Sequence, residues 1–179
     1  MGKKSNLESQ YKHSIEQLTQ KTKEELLERG VTIDDIAEIV MKLQSPYIKD
    51  LSIEFCKYSI NKVLEKREVV NAVLTGIQLD KLAEKDLIEE PILSVIKSDE
   101  GLYGIDEILP LSIVNLYGSI GLTNFGYLDK EKIGIIKKVD EAKAGAVNTF
   151  LDDIIAAIAA AAASRIAHSL REPNKKHYE

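Results

Sequence analysis

Residues 148–169 read NTFLDDIIAAIAAAAASRIAHS, and this stretch decides the fold. Two adjacent carboxylates, Asp152 and Asp153, precede about three turns of small apolar residues. The run from Ile154 to Ser164 is about half the length that crosses a bilayer, so it predicts a helix buried in a protein core. The acid pair has two interpretations: it stabilises the helix start, where Thr149 is the cap, or it binds a metal ion.

The rest of the chain has the spacing of helices. Apolar residues recur mostly at intervals of three and four, as at Ile53, Cys56, Ile60, Val63 and Leu64, and no convincing strand pattern occurs. We therefore predict an all-α fold, an irregular multihelical bundle with no significant sheet, in which Cys56 is a core residue. We expect accessory helices over residues 1–45, a helical domain over residues 46–170 and a frayed tail over residues 171–179.

Composition limits the classes of function. The chain has 179 residues, of which 44% are hydrophobic, which is enough for one core. Its formal net charge of −5 is spread without a basic block, so we expect no nucleic-acid partner. A single cysteine excludes an internal disulfide, and the basic N-terminus lacks the apolar segment of a signal peptide. We expect a cytoplasmic protein.

One stretch has the length of a membrane span. Residues Ile108 to Leu128 carry no formal charge over 21 residues. However, Pro110, Gly118, Gly121 and several polar residues interrupt this stretch. Because a lipid-facing helix tolerates few such groups, we predict that it does not span a membrane.

Carboxylates are the main candidates for chemistry. The sequence contains no phosphate-binding loop motif, no His-Glu-x-x-His and no Gly-x-Ser-x-Gly, and its three histidines lie in peripheral segments. Acids stand near predicted helix starts at Asp106-Glu107, Asp129 and Asp152-Asp153, where separate helices could bring them together. Oxygen-only ligands of this kind suit magnesium. Acid pairs also begin other helices, at Asp34-Asp35 and Asp99-Glu100, so helix capping remains an alternative for each pair.

The order of motifs in the second half is more specific. An aromatic residue, Asp-x-x-Lys, a glycine-containing turn and Asp-Asp before a small-residue helix fall at Phe125, Asp129, Lys132, Gly145 and Asp152-Asp153. This order resembles the C-terminal half of the phosphatidylglycerophosphatase A family, including its soluble, low-temperature-requirement C-like branch in Gram-positive bacteria. Asp106-Glu107 looks like the family's Asp-Glu motif, and Thr75-Gly76 is a faint counterpart of its glycine- and threonine-rich motif.

The sequence also departs from the family pattern. Gly126 stands where the membrane-bound relatives have an arginine, Ile133 where they have a proline and Ile105 where they have a tryptophan. Their spanning helices have no clear equivalent in this chain. These departures put a lipid substrate in doubt and remove one phosphate contact.

The resemblance implies magnesium-dependent hydrolysis of the phosphomonoester of phosphatidylglycerophosphate. It implies that Mg²⁺ is held by a set of five acids, and that three residues are catalytic: Asp129, Lys132 and Asp153. The five acids are Asp106, Glu107, Asp129, Asp152 and Asp153. Lys132 would contact the substrate phosphate, whereas Arg165 lies about 18 Å beyond Asp153 along a straight helix and belongs to the other end. We expect a phospholipid substrate met at the membrane surface and a homo-oligomer.

Two other functions fit the same sequence. A non-catalytic helical module could bury a partner helix against the alanine face of the last helix. A phosphatase for a soluble phosphomonoester or a nucleotide is also compatible, and Glu25 and Glu28 have the Glu-x-x-Glu spacing of some helical pyrophosphatases. Geometry provides a test: acid oxygens scattered by more than about 10 Å cannot share one magnesium ion.

Overall fold

The computed structural model describes residues 12–142 and 145–169. These residues form nine α-helices and one 3-10 turn, and they contain no strand, so the all-α prediction is confirmed. The predicted tail, residues 171–179, lies outside the described residues. The helices are α1 (Ile15–Glu28), α2 (Ile33–Gln44), α3 (Ile53–Leu64), α4 (Arg67–Glu84), α5 (Ile92–Lys97), α6 (Ile105–Val114), α7 (Gly118–Glu131), α8 (Ile135–Asp140) and α9 (Leu151–Ser169).

Helix α9 forms the centre of the bundle. Every residue from Leu151 to Ser164 is buried, as is Ile166, and helices α2, α3, α4, α6, α7 and α8 pack around it. Alanine makes this possible, because its short side chain lets neighbouring helices approach from several directions. The predicted core helix is therefore confirmed. The alanine face already buries helices of its own chain, so it is not a surface for a partner helix.

The first two helices have the starts that their sequences indicate. Ser14 and Gln17 form a capping box at the start of α1, and Thr32 and Asp35 form another at the start of α2. Residues 1–11 of the predicted accessory region lie outside the described part. The apolar face of α2, which includes Ile36, belongs to the same core as α9. The boundary at residue 45 remains a prediction.

The long uncharged stretch is divided into two helices. Residues Ile105–Glu131 have a mean hydropathy of 1.3 and are long and apolar enough, by length and composition alone, to cross a membrane. A 3-10 turn at Asn115–Tyr117 separates α6 from α7, and Gly118 has a positive φ of 70°. Neither helix alone has the roughly 20 residues of a typical span. That this stretch does not span a membrane stays a prediction.

Candidate functional site

The start of α9 is held by a carboxylate from another helix. Asp80 on α4 is fully buried, and its two oxygens accept hydrogen bonds from the backbone N–H groups of Phe150 and Leu151, both at 3.1 Å. The predicted cap, Thr149, instead donates its hydroxyl proton to the carbonyl oxygen of Ile96 at 2.6 Å. The prediction of Thr149 as cap was therefore wrong. Asp80 lies 70 residues earlier in the chain than Phe150, beyond the reach of a local capping pattern.

An arginine from the N-terminal part of the chain fixes the loop before α9. The guanidinium of Arg29 pairs with Glu84 at 2.6 Å and donates to the Val147 carbonyl at 2.5 Å and the Asn148 side-chain oxygen at 2.6 Å. Glu84 also accepts the Val147 N–H at 2.9 Å. The planar fork of arginine suits several acceptors at once. Residues before position 46 thus help to orient the helix that carries Asp152.

Lys132 lies among four carboxylates. It is the C-cap residue of α7 and has the left-handed backbone conformation, with φ 45°. Its Nζ lies 3.4 Å from Asp129, 3.6 Å from Asp153 and 3.9 Å from Asp140, and it is hydrogen-bonded to Asp152. The structure therefore brings together four of the sequence-predicted residues, Asp129, Lys132, Asp152 and Asp153. It adds Asp140, which the sequence analysis did not single out.

Burial changes the pKa values in this cluster. Asp152 and Asp153 are only 5% and 4% exposed. Burial raises the pKa of Asp152 to about 6, against the opposing effect of Lys132. The pKa of Asp153 is raised to about 9, and burial is the largest cause. The charge of Asp152 and a hydrogen bond to Asp129 add to the rise. For Lys132, burial disfavours the ammonium, but Asp152 and its neighbours outweigh burial and raise the pKa. The cluster thus holds four carboxyl groups around a single ammonium.

Asp106 and Glu107 have different environments although they are adjacent. One oxygen of Asp106 is buried and has no hydrogen-bond partner among the described residues. Glu107 is exposed, and within the described part it forms no ion pair with the cluster. The structure gives no support to Glu107 as a ligand.

Asp99 is a second acid that sequence reasoning passed over. Burial raises its pKa first, Asp106 and Asp140 add to the rise, and Lys132 opposes it, so Asp99 lies within electrostatic range of all three. It has a positive φ of 50°, which is uncommon outside glycine and is found at constrained functional positions. Its acidic neighbour made it resemble an ordinary helix-start acid pair, so the sequence carried no signal that distinguished it.

A polar cleft opens beside these acids. It has a volume of about 460 Å³, and Asp99, Asp140 and Thr149 are among the residues that line it. Lys97 lies at its edge. The cleft is large enough for a phosphate-bearing headgroup next to the cluster.

The residues partly fit a magnesium site. The donors are oxygens only, and both Asp106 and Asp153 have a buried oxygen without a hydrogen-bond partner in the described part of the chain. Asp129, Asp152 and Asp153 each have an oxygen within 4 Å of one nitrogen, so these oxygens satisfy the separation limit of about 10 Å. These oxygens surround the Lys132 ammonium. Among the described residues, no group of three His, Cys, Asp or Glu side chains is arranged to hold a metal.

Comparisons with known proteins cover most of the chain. The family model for phosphatidylglycerophosphatase A matches residues 26–168. Uncharacterized protein YpjQ of Bacillus subtilis is 60% identical over 158 residues, which cover 88% of this chain and 89% of YpjQ. Uncharacterized protein YutG of the same organism is 54% identical over 155 residues, which cover 87% of this chain and 93% of YutG. The crystal structure of low temperature requirement C protein from Listeria monocytogenes matches with a TM-score of 0.84 and 59% identity. The match covers 87% of this chain and 98% of the Listeria chain.

Proposed function

The chain belongs to the phosphatidylglycerophosphatase A family, and from this premise we propose that it is a magnesium-dependent phosphatase. Its proposed substrate is phosphatidylglycerophosphate, whose phosphomonoester it hydrolyses to phosphatidylglycerol and inorganic phosphate. One observation carries the proposal: Lys132 lies among Asp129, Asp152 and Asp153, the acids of the two motifs that carry the resemblance.

The carboxylates of Asp106, Asp129, Asp152 and Asp153 would hold the magnesium. When bound, the ion neutralises the substrate phosphate and lowers the pKa of an attacking water. Lys132 donates hydrogen bonds to the phosphate and orients it, because its ammonium already faces the same space as these oxygens. Asp80 and Arg29 act at a distance from the substrate: they hold the start of α9, and with it the acid pair, in place.

The position of the site favours a substrate at a membrane surface. Leu102 is 94% exposed, and Ile105 and Ile108 are exposed on either side of Asp106. Exposed apolar side chains next to a site are typical of contact with lipid or with another protein. A homo-oligomer and a cytoplasmic location remain predictions. Sedimentation of the purified protein would measure the first.

The direct test is release of phosphate from phosphatidylglycerophosphate in the presence and absence of Mg²⁺. We expect Mg²⁺-dependent release by the wild type and loss of most activity in Asp153→Asn. Glu131→Gln is the matched control, because it removes an exposed carboxylate at the end of α7. Equal activity of Asp153→Asn and wild type would refute the assigned site. Hydrolysis of glycerol 3-phosphate, with none of the lipid, would favour the soluble-substrate alternative.

A further inference from the structure

A basic cluster lies at the opposite end of α9 from the acidic site. It consists of Lys62, Lys66 and Arg165 around the rings of Tyr58 and Tyr117. Lys66 Nζ lies 4.3 Å from the centroid of the Tyr117 ring, and the Arg165 guanidinium lies 5.1 Å from that of Tyr58. Lys62 Nζ lies 5.7 Å from the Tyr58 centroid. The proposed reaction uses none of these residues.

The cations in this basic cluster are only partly compensated. Lys62 pairs with Glu65 at 2.7 Å. Arg165 donates to the neutral hydroxyl of Ser59 at 3.2 Å, and neither Arg165 nor Lys66 pairs with a carboxylate within the described ranges. Glu65 raises the pKa of Lys62, and Arg165 opposes that rise, as a nearby like charge does. The positive charge of the cluster is therefore available to an anion.

Tyr117 supplies a buried donor without an acceptor. Its side chain is 8% exposed, and its hydroxyl is buried with no hydrogen-bond partner among the described residues. Its carbonyl oxygen accepts the Ser164 hydroxyl at 2.7 Å, which fixes its position against α9. Arg165 acts electrostatically on the hydroxyl. An unsatisfied buried hydroxyl costs about 1–3 kcal/mol, and a ligand that accepts a hydrogen bond from it would remove this cost.

The start of α4 adds backbone donors. This helix has 18 residues, begins at Arg67, and has Lys66 as its N-cap residue without a side-chain hydrogen bond to its first turn. Backbone N–H groups at a helix N-terminus, together with the helix dipole, favour a bound anion. Two carboxylates lie beside these donors: Glu65, which pairs with Lys62, and Glu68 in the first turn of α4.

We propose that Lys66, Arg165 and Tyr117 form a second anion site that binds a phosphate group. The ligand is a phosphate in free solution or on a lipid headgroup, since both present the same oxygens to these donors. The site lies about 18 Å from Asp153 along α9, too far to contact the same phosphate. It holds an anion rather than reacting with one, because no carboxylates in the described part of the chain are arranged there for a metal.

The test measures binding of inorganic phosphate without Mg²⁺, by calorimetry on the full chain. We expect saturable binding that weakens at least about tenfold in Arg165→Gln and in Lys66→Gln, since each removes a charge-assisted hydrogen bond. Lys138→Gln is the matched control: it removes an exposed lysine on α8, whose end lies at the acidic site, and should bind like the wild type. Equal binding by wild type and Arg165→Gln, or no saturable binding, would overturn the proposal.

Tyr117→Phe separates a ligand-binding role from a purely structural one. The variant should unfold at a higher temperature than wild type without phosphate, because it removes an unsatisfied hydroxyl, yet gain less stability on phosphate addition. An equal gain in both proteins would contradict a role for the hydroxyl. Vesicle binding distinguishes the two sources of phosphate. If phosphatidylglycerol vesicles retain the protein, phosphatidylcholine vesicles do not, and Arg165→Gln abolishes the retention, the ligand is a lipid headgroup. Phosphate binding without retention assigns a soluble phosphate. None of these measurements depends on catalysis.

Discussion

Replacing Lys132 with glutamine removes the ammonium that the described structure places among four carboxylates while preserving most of the side-chain volume. Asp152, its hydrogen-bonded partner, is buried, and Lys132 itself has 27% of its side chain exposed. Breaking a buried ion pair costs about 3–5 kcal/mol, and partial exposure reduces this through solvent screening. We expect the free energy of unfolding to fall by about 2 kcal/mol, a decrease of roughly 4–8 °C in melting temperature for a chain of this size.

The same substitution distinguishes a magnesium site from a structural ion pair. If the carboxylates bind Mg²⁺, the ammonium competes with it for the same oxygens. Mg²⁺ should then stabilise Lys132→Gln more than it stabilises wild type, and each tenfold gain in affinity adds about 1.4 kcal/mol at saturating metal. Phosphate release should nevertheless fall, because the variant has lost the group that orients the substrate.

Urea unfolding followed by circular dichroism, with and without Mg²⁺, measures both effects. Lys130→Gln is the matched control, since it removes an exposed lysine two residues away on the same helix. It should change stability by no more than about 0.5 kcal/mol and leave the response to Mg²⁺ unaltered. The reasoning fails if Lys132→Gln is as stable as wild type, or if Mg²⁺ stabilises the two proteins equally.

Three further predictions follow from the described contacts. Asp106→Asn should lower kcat/KM for phosphate release by more than about tenfold, whereas Glu107→Gln should stay within about twofold of wild type, since only Asp106 has a buried oxygen without a partner. Gly76→Ala should lower the free energy of unfolding by about 1–3 kcal/mol in urea titrations, because a Cβ there would lie 2.3 Å from Ile154 Cδ1. Cys56 should resist iodoacetamide at pH 8 in the native protein and react in urea, measured by mass spectrometry, because burial raises its thiol pKa to about 11.

Sequence reasoning predicted which residues come together around Lys132 where its signals were local. Asp129 and Lys132 are three residues apart, and the acid pair on α9 is contiguous, so each motif is visible within one helix turn. Their convergence was expected from the family resemblance, and the structure shows Lys132 beside all three acids. The spacing of apolar residues likewise predicted helices and the buried position of Cys56.

Other residues of the site were not predictable from local patterns. Asp80 stands alone in a helical segment with no neighbour that marks it, and Asp99 and Asp140 each belong to an acid pair like several others in the chain. Glu107 shares a motif with Asp106, yet it is exposed and forms no ion pair with the cluster among the described residues. The difference between ligand, cap and exposed acid depends on what packs against each carboxylate, which sequence spacing does not reveal.

The sequence by itself determined that the chain forms helices, that the alanine-rich segment lies in the core and that acids stand beside its start. These properties depend on interactions between residues a few positions apart. Only the tertiary structure decided that Asp80 rather than Thr149 caps α9, and that one lysine faces four carboxylates. It also decided that Arg165 lies in a separate basic cluster. The physical reason is that burial and charge act between groups close in space, and the packing of distant helices sets those distances.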